Sequence, residues 1–188
     1  MSSDVTIGPA PTRSVLIAGV GNIFLGDDGF GVEVANRLAL EKLPDWVRVI
    51  DFGIRGVHLA YEMLGGGYDT TIMVDATPRG EKPGTVYLIE PDLENVAGEQ
   101  TVSFDAHGMD PQVVFSTLQS LGGVAGRVLI VGCEPLEADE EIGLSEPVQR
   151  GVEEAIRLIH SVVDDLGRAR AATPNEPSGM TTEGKNDA

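Results

Sequence analysis

Apolar positions change their period several times along the chain, and each change predicts an element. Ser14 to Val20 is a continuous apolar run closed by glycines, the pattern of a buried strand. From Gly31 to Leu43, Val32, Ala35, Leu38 and Ala39 recur at helical spacing until Pro44 ends the segment. Trp46 to Asp51 alternates as a second strand, and after the loop Gly53 to Gly56 a short helix carries Val57, Ala60, Tyr61 and Leu64 on one face. Thr70 to Ala76 is β-branched and apolar enough for a central strand, with Asp75 at its carboxyl end.

Gly84 to Glu90 reads as a fourth strand. Only the turn-rich TPRGEKP separates it from the third, shorter than the crossover of about a dozen residues that parallel neighbours need, so an antiparallel member is expected. A long loop, Pro91 to Gly108, leads to a helix with Asp110 as cap and Pro111 at its first position. Arg127 to Pro135 holds the fifth strand. Ser145 is the expected cap of a last helix on which Val148, Val152, Ala155, Ile156, Ile159, Val162, Val163 and Leu166 form one stripe.

This alternation predicts an α/β three-layer sandwich: a mostly parallel, twisted five-stranded sheet with one antiparallel strand and helices on both faces. Residues 14–166 form the single domain; residues 1–13 read as a flexible leader and 167–188 as a disordered tail, both without apolar period. In such sheets ligands bind beyond the carboxyl ends of the strands, at a topological switch point.

Composition narrows the function. The formal charge of -17, from 30 acidic against 13 basic residues, argues against nucleic acid and anionic membrane as partners, because phosphates require a cationic surplus. Cys133 is the single cysteine, which excludes an internal disulfide and fits a reducing compartment. The first residues lack the order of a signal peptide, and no apolar run approaches the roughly 20 residues of a membrane span, so a cytoplasmic protein without membrane insertion is expected.

The segment GVGNIFLGDDGFGVEV starts with the glycine spacing of a dinucleotide loop. The third small position is Phe24, however, and Asp27 and Asp28 occupy the place where a pyrophosphate would meet the helix, which disfavours a nucleotide-binding oxidoreductase. Two readings of these acids remain: caps of a helix N-terminus, or carboxylates presented to a cation. Asp51 and Asp75 close the second and third strands on the same sheet edge, and each has turn capping as its alternative reading. His58 and His160 fall at surface positions of their helices. His107, in SFDAHGMDP, stands in a loop at the strand-end edge, and aspartates with an imidazole make an N/O donor set suited to a divalent transition metal. Cys133 ends an apolar strand with no adjacent base and reads as a packed residue.

GVGNIFLGDDGFGVEV, VDA around Asp75, KPGTVYLIEP, HGMDP, VGCEP and EIGLSEPV, in that order from Val15 to Leu166, resemble the maturation endopeptidases of nickel-iron hydrogenases. The resemblance implies a cytoplasmic, aspartic-type protease that removes a short C-terminal extension from a hydrogenase large-subunit precursor after nickel insertion. Carried over by position, its nickel-contacting residues fall on Asp28, Asp75 and His107, with the nickel supplied by the substrate. Asp28 and Asp51 are then the candidate catalytic carboxylates. Where relatives read Gly-Gly-Thr-x-Gly, this chain has FGIRG after Asp51, and Arg55 becomes a candidate for substrate recognition. A monomer when free is the expected state. The alternative function is a non-catalytic, nickel-dependent assembly factor for the same precursor.

Overall fold

The computed structural model describes residues 14–91, 111–136 and 142–172. Strands β1 (Ser14–Val20), β2 (Val47–Gly53), β3 (Tyr68–Ala76), β4 (Val86–Ile89) and β5 (Arg127–Cys133) form one sheet in the order β2-β1-β3-β5-β4. β1 pairs in parallel with β2 and β3, and β3 in parallel with β5. β4 alone runs antiparallel, against β5, as its short connection to β3 requires.

Successive strand residues point to opposite faces, and here both faces are covered, which is why β1, β3 and β5 read as unbroken apolar runs. Val15, Ile17, Ile72, Val74, Leu129 and Val131 enter one core with Phe30, Val34 and Leu38 of α1 (Phe30–Leu38) and the stripe of α4 (Glu146–Ala172). Leu16, Ala18, Val20, Met73, Val128 and Ile130 enter the other, under Leu59 and Ala60 of α2 (Gly56–Gly66) and Val114, Phe115 and Leu118 of α3 (Pro111–Ser120). Each Val, Leu, Ile, Met or Phe side chain among these contributes about 1.5–3 kcal/mol on full burial. The result is the expected three-layer sandwich.

Strand boundaries shift by one or two residues, so that β2 runs past Asp51 to Gly53 and β4 spans only Val86–Ile89, and two helices change length. α1 stops at Leu38, five residues before Leu43, because the chain tightens there: Leu40 N–H bonds the Arg37 carbonyl and Glu41 N–H that of Leu38. α4 continues past Leu166 to Ala172, so the segment read as tail from residue 167 begins as helix. Packing explains the extension, since a Cβ on Gly167 would lie 3.3 Å from the Trp46 ring and the Arg170 guanidinium stands over that ring at 5.4 Å. The Arg and Ala residues that follow are good helix formers. Among the described residues no helix is long and apolar enough to cross a membrane.

Candidate active site

From β1 the chain passes outward to β2 and then returns to β3 on the far side of β1, which makes the carboxyl ends of β1 and β3 the switch point of the sheet. Asp28 lies in the 3-10 turn Gly26–Gly29 after β1, and Asp75 is the penultimate residue of β3. Gly21 makes their meeting possible. At φ +129° it adopts a conformation that L side chains rarely take, and a Cβ there would sit 1.8 Å from the Asp28 carbonyl oxygen and 3.8 Å from Asp75 Oδ1. The loop is therefore folded back over the strand ends. Asn22 N–H donates to Asp28 Oδ2 at 2.7 Å, while Asn22 Oδ1 accepts from Phe24 N–H at 3.0 Å.

The close approach of helix to sheet, which a dinucleotide loop obtains from its third glycine, comes here from Gly31. A Cβ at that position would fall 1.9 Å from the Val74 carbonyl oxygen and 2.3 Å from that of Val20. Phe24, at the fingerprint position, is instead exposed on the loop. The first turn of α1 thus rests on the carboxyl ends of β1 and β3, and Asp28 is held just before it.

Asp75 is 6% exposed, and its Oδ1 has no hydrogen-bond partner among the described residues. Burial pushes its pKa well above the usual carboxylate range, the charge of Asp28 pushes it further, and a bond from the Ala76 amide does not restore it. A buried acceptor without a partner is costly, and neighbouring carboxylates resist simultaneous ionisation. Either a proton or a cation relieves both penalties, and carboxylate oxygens suit a divalent ion. His107 lies outside the described residues, as does Asp110. Among the described residues no group of three His, Cys, Asp or Glu side chains is placed to hold a metal.

Asp51 sits in β2 on the same sheet edge, half-buried, with Oδ1 accepting from Gly53 N–H at 2.8 Å. Gly53, at φ +53°, turns its carbonyl to accept from Gly21 N–H at 3.1 Å, which ties the β2 loop to the β1 loop. Arg55 crosses back over this end of β2: Nε donates to the Phe52 carbonyl at 2.9 Å and Nη2 to the Asp51 carbonyl at 2.8 Å. His58 is exposed on α2, and His160 meets Glu41 at 2.7 Å.

Asp27 has a role its sequence position did not suggest. It makes no capping bond; its carboxylate accepts from Leu136 N–H at 2.8 Å, Ser145 N–H at 2.6 Å and Ser145 Oγ at 2.8 Å. Ser145, immediately before α4, donates its hydroxyl to Asp27 and so fixes the start of that helix against the loop after β1. Glu134, 5% exposed, accepts from the amides of Arg79 and Gly80 and from the Tyr87 hydroxyl at 2.6 Å. Burial acts to raise its pKa, but Tyr87 and the amides of Arg79, Gly80 and Glu81 outweigh it and hold the carboxyl below its usual range. Cys133 is fully buried, and burial, with Asp27 and Glu134 nearby, pushes its thiol up to about 12.

Known proteins share both sequence and architecture with this chain. The model of the hydrogenase maturation protease family matches residues 32–162. The hydrogenase expression/formation protein HupD of Rhizobium leguminosarum is 30% identical over 177 residues, which cover 93% of this chain and 86% of that protein. The hydrogenase 2 maturation protease of Escherichia coli is 30% identical over 155 residues, or 81% of this chain and 92% of that protein. The solved structure of the hydrogenase maturating endopeptidase HybD from E. coli superposes with a TM-score of 0.67 at 28% identity, over 82% of this chain and 94% of that one. The chain belongs to the hydrogenase maturation proteases, and it is a hydrolase of peptide bonds.

Proposed function

We propose that this protease removes a C-terminal extension from the large-subunit precursor of a nickel-iron hydrogenase once nickel has been inserted, and that the nickel held by that substrate is what Asp28 and Asp75 read. The observation that carries this reading is the orphaned, buried Oδ1 of Asp75 beside Asp28. His107 is the proposed third contact. A precursor carrying a divalent ion brings the charge that offsets ionising Asp75 next to Asp28, whereas an empty precursor brings nothing in its place. Cleavage is then conditional on nickel insertion.

Hydrolysis also needs a group to accept a proton from the attacking water. Asp51 and Asp28 are the proposed bases. Each has a carboxylate oxygen held by a main-chain amide, Asp51 by Gly53 and Asp28 by Asn22, so their positions are set before substrate arrives.

The test is to incubate nickel-loaded and nickel-free precursor with the wild type and with Asp28→Ala, Asp75→Ala and His107→Ala, reading product by mass spectrometry. Wild type should trim the loaded precursor alone. Each variant should lose at least about 100-fold in rate, the scale of removing one positioned polar contact in a transition state. Equal trimming of the nickel-free precursor, or full activity in all three variants, overturns the proposal. An unchanged precursor mass would point instead to a non-catalytic assembly factor.

A further inference from the structure

Arg55 stands at the head of α2, directly beyond the carboxyl end of β2. Its two bonds to the Phe52 and Asp51 carbonyls fix the plane of the guanidinium, and the N–H groups of Nη1 have no acceptor among the described residues. The other described arginines near a carboxylate or a ring make use of it: Arg37, Arg48, Arg127, Arg150 and Arg168 pair with Asp or Glu, and Arg79 and Arg170 lie over Tyr87 and Trp46. Arg55 has neither kind of partner among the described residues. Arg157 shares that lack, but it belongs to α4, on the opposite face of the sheet.

A preoriented guanidinium with no carboxylate or ring partner among the described residues is notable in a chain with 30 acidic and 13 basic residues. It is exposed, no acidic residue occupies the first turn of α2, and the adjoining loop is bonded to the loop that carries Asp28. A planar fork of N–H groups matches a carboxylate in geometry and charge. The aspartates of the site repel an acidic peptide, so a carboxylate arriving there needs a cation at the rim.

Resting on the proteolytic reading above, we propose that Arg55 is a specificity-determining residue that receives a carboxylate of the peptide being cleaved. The source is either an acidic side chain of the extension or its terminal carboxylate. Holding that group fixes the register of the peptide across the strand ends.

The experiment measures KM and kcat for wild type, Arg55→Gln and Arg55→Lys on nickel-loaded precursor in three forms. One has the native extension, one has its Asp and Glu replaced by Asn and Gln, and one has its terminal carboxylate amidated. On native precursor Arg55→Gln should raise KM about tenfold, the scale of one hydrogen bond to a charged group, with kcat within about twofold, and Arg55→Lys should recover part of the loss. On the form lacking the carboxylate that Arg55 holds, wild type should already show the raised KM and Arg55→Gln should add nothing. An unchanged KM on native precursor, or an equal loss on all three forms, overturns the assignment while the proteolytic reading stands. Wild type that cleaves none of the forms overturns both.

Discussion

Asp27 and Glu134 are buried carboxylates whose oxygens are met by amides and hydroxyls, whereas Asp75, buried to a similar degree, keeps an oxygen with no described partner and faces Asp28. The first two tie distant segments together: Asp27 joins the loop after β1 to the exit of β5 and the start of α4, and Glu134 pins the connection between β3 and β4. Asp28, by contrast, holds its own loop, where Oδ2 accepts from Asn22 N–H six residues away. Burial alone does not separate these acids; they differ in whether the fold satisfies the charge it encloses.

This contrast can be broken most sharply at Asp27. Asp27→Ala leaves the Leu136 and Ser145 amides without their acceptor and should cost about 3 kcal/mol, a fall of roughly 6–12 °C in thermal midpoint for a chain of this size. A fall below about 2 °C would show that solvent replaces the carboxylate and that Asp27 is no strap.

Glu134 sharpens the comparison through pH. Its folded pKa is depressed, so its stabilising contribution is present above the ordinary glutamate pKa and is lost as pH falls through the depressed value. Glu134→Gln should cost roughly 1–2 kcal/mol near neutrality and flatten the loss of stability on the acid side. Denaturant unfolding from pH 2 to pH 7 reads both effects, and an unchanged acid slope would remove Glu134 from the structural class.

The smallest effect is expected at Cys133. With its thiol buried and pushed up to about 12, it should resist iodoacetamide in the native protein at neutral pH. Cys133→Ala should cost about 1 kcal/mol and leave proteolysis unchanged. A loss of cleavage in that variant would give the thiol a chemical role.

The strands and their order of type were legible because their signals are local: apolar runs for β1, β3 and β5, and a connection too short for a crossover before β4. Asp28 and Asp75 were legible by position, one in the loop after β1 and one at the carboxyl end of β3, and the resemblance singled them out. The Asp27 strap was not, since it joins residues 118 apart in sequence, and no local pattern announces a bond at that range. Gly31 was missed for a related reason. Its importance lies in the carbonyls of Val20 and Val74 against which it packs, while the expected position for such a glycine held Phe24. The end of α4 was misplaced because Trp46, 121 residues before Gly167, supplies the surface that keeps the last turns folded.

The most direct measurement is on Asp75→Asn, followed in both stability and function. A group with a raised folded pKa stabilises fully below its unfolded pKa and loses that contribution as pH rises through the folded value, so wild type should weaken across that window. Removing the ionisable group should abolish this slope and raise stability at neutral pH by about 1–3 kcal/mol, while trimming of nickel-loaded precursor falls at least about 100-fold. A variant no more stable than wild type that still trims the loaded precursor at the wild-type rate would contradict the claim that this carboxylate is kept, against stability, to meet the substrate's ion.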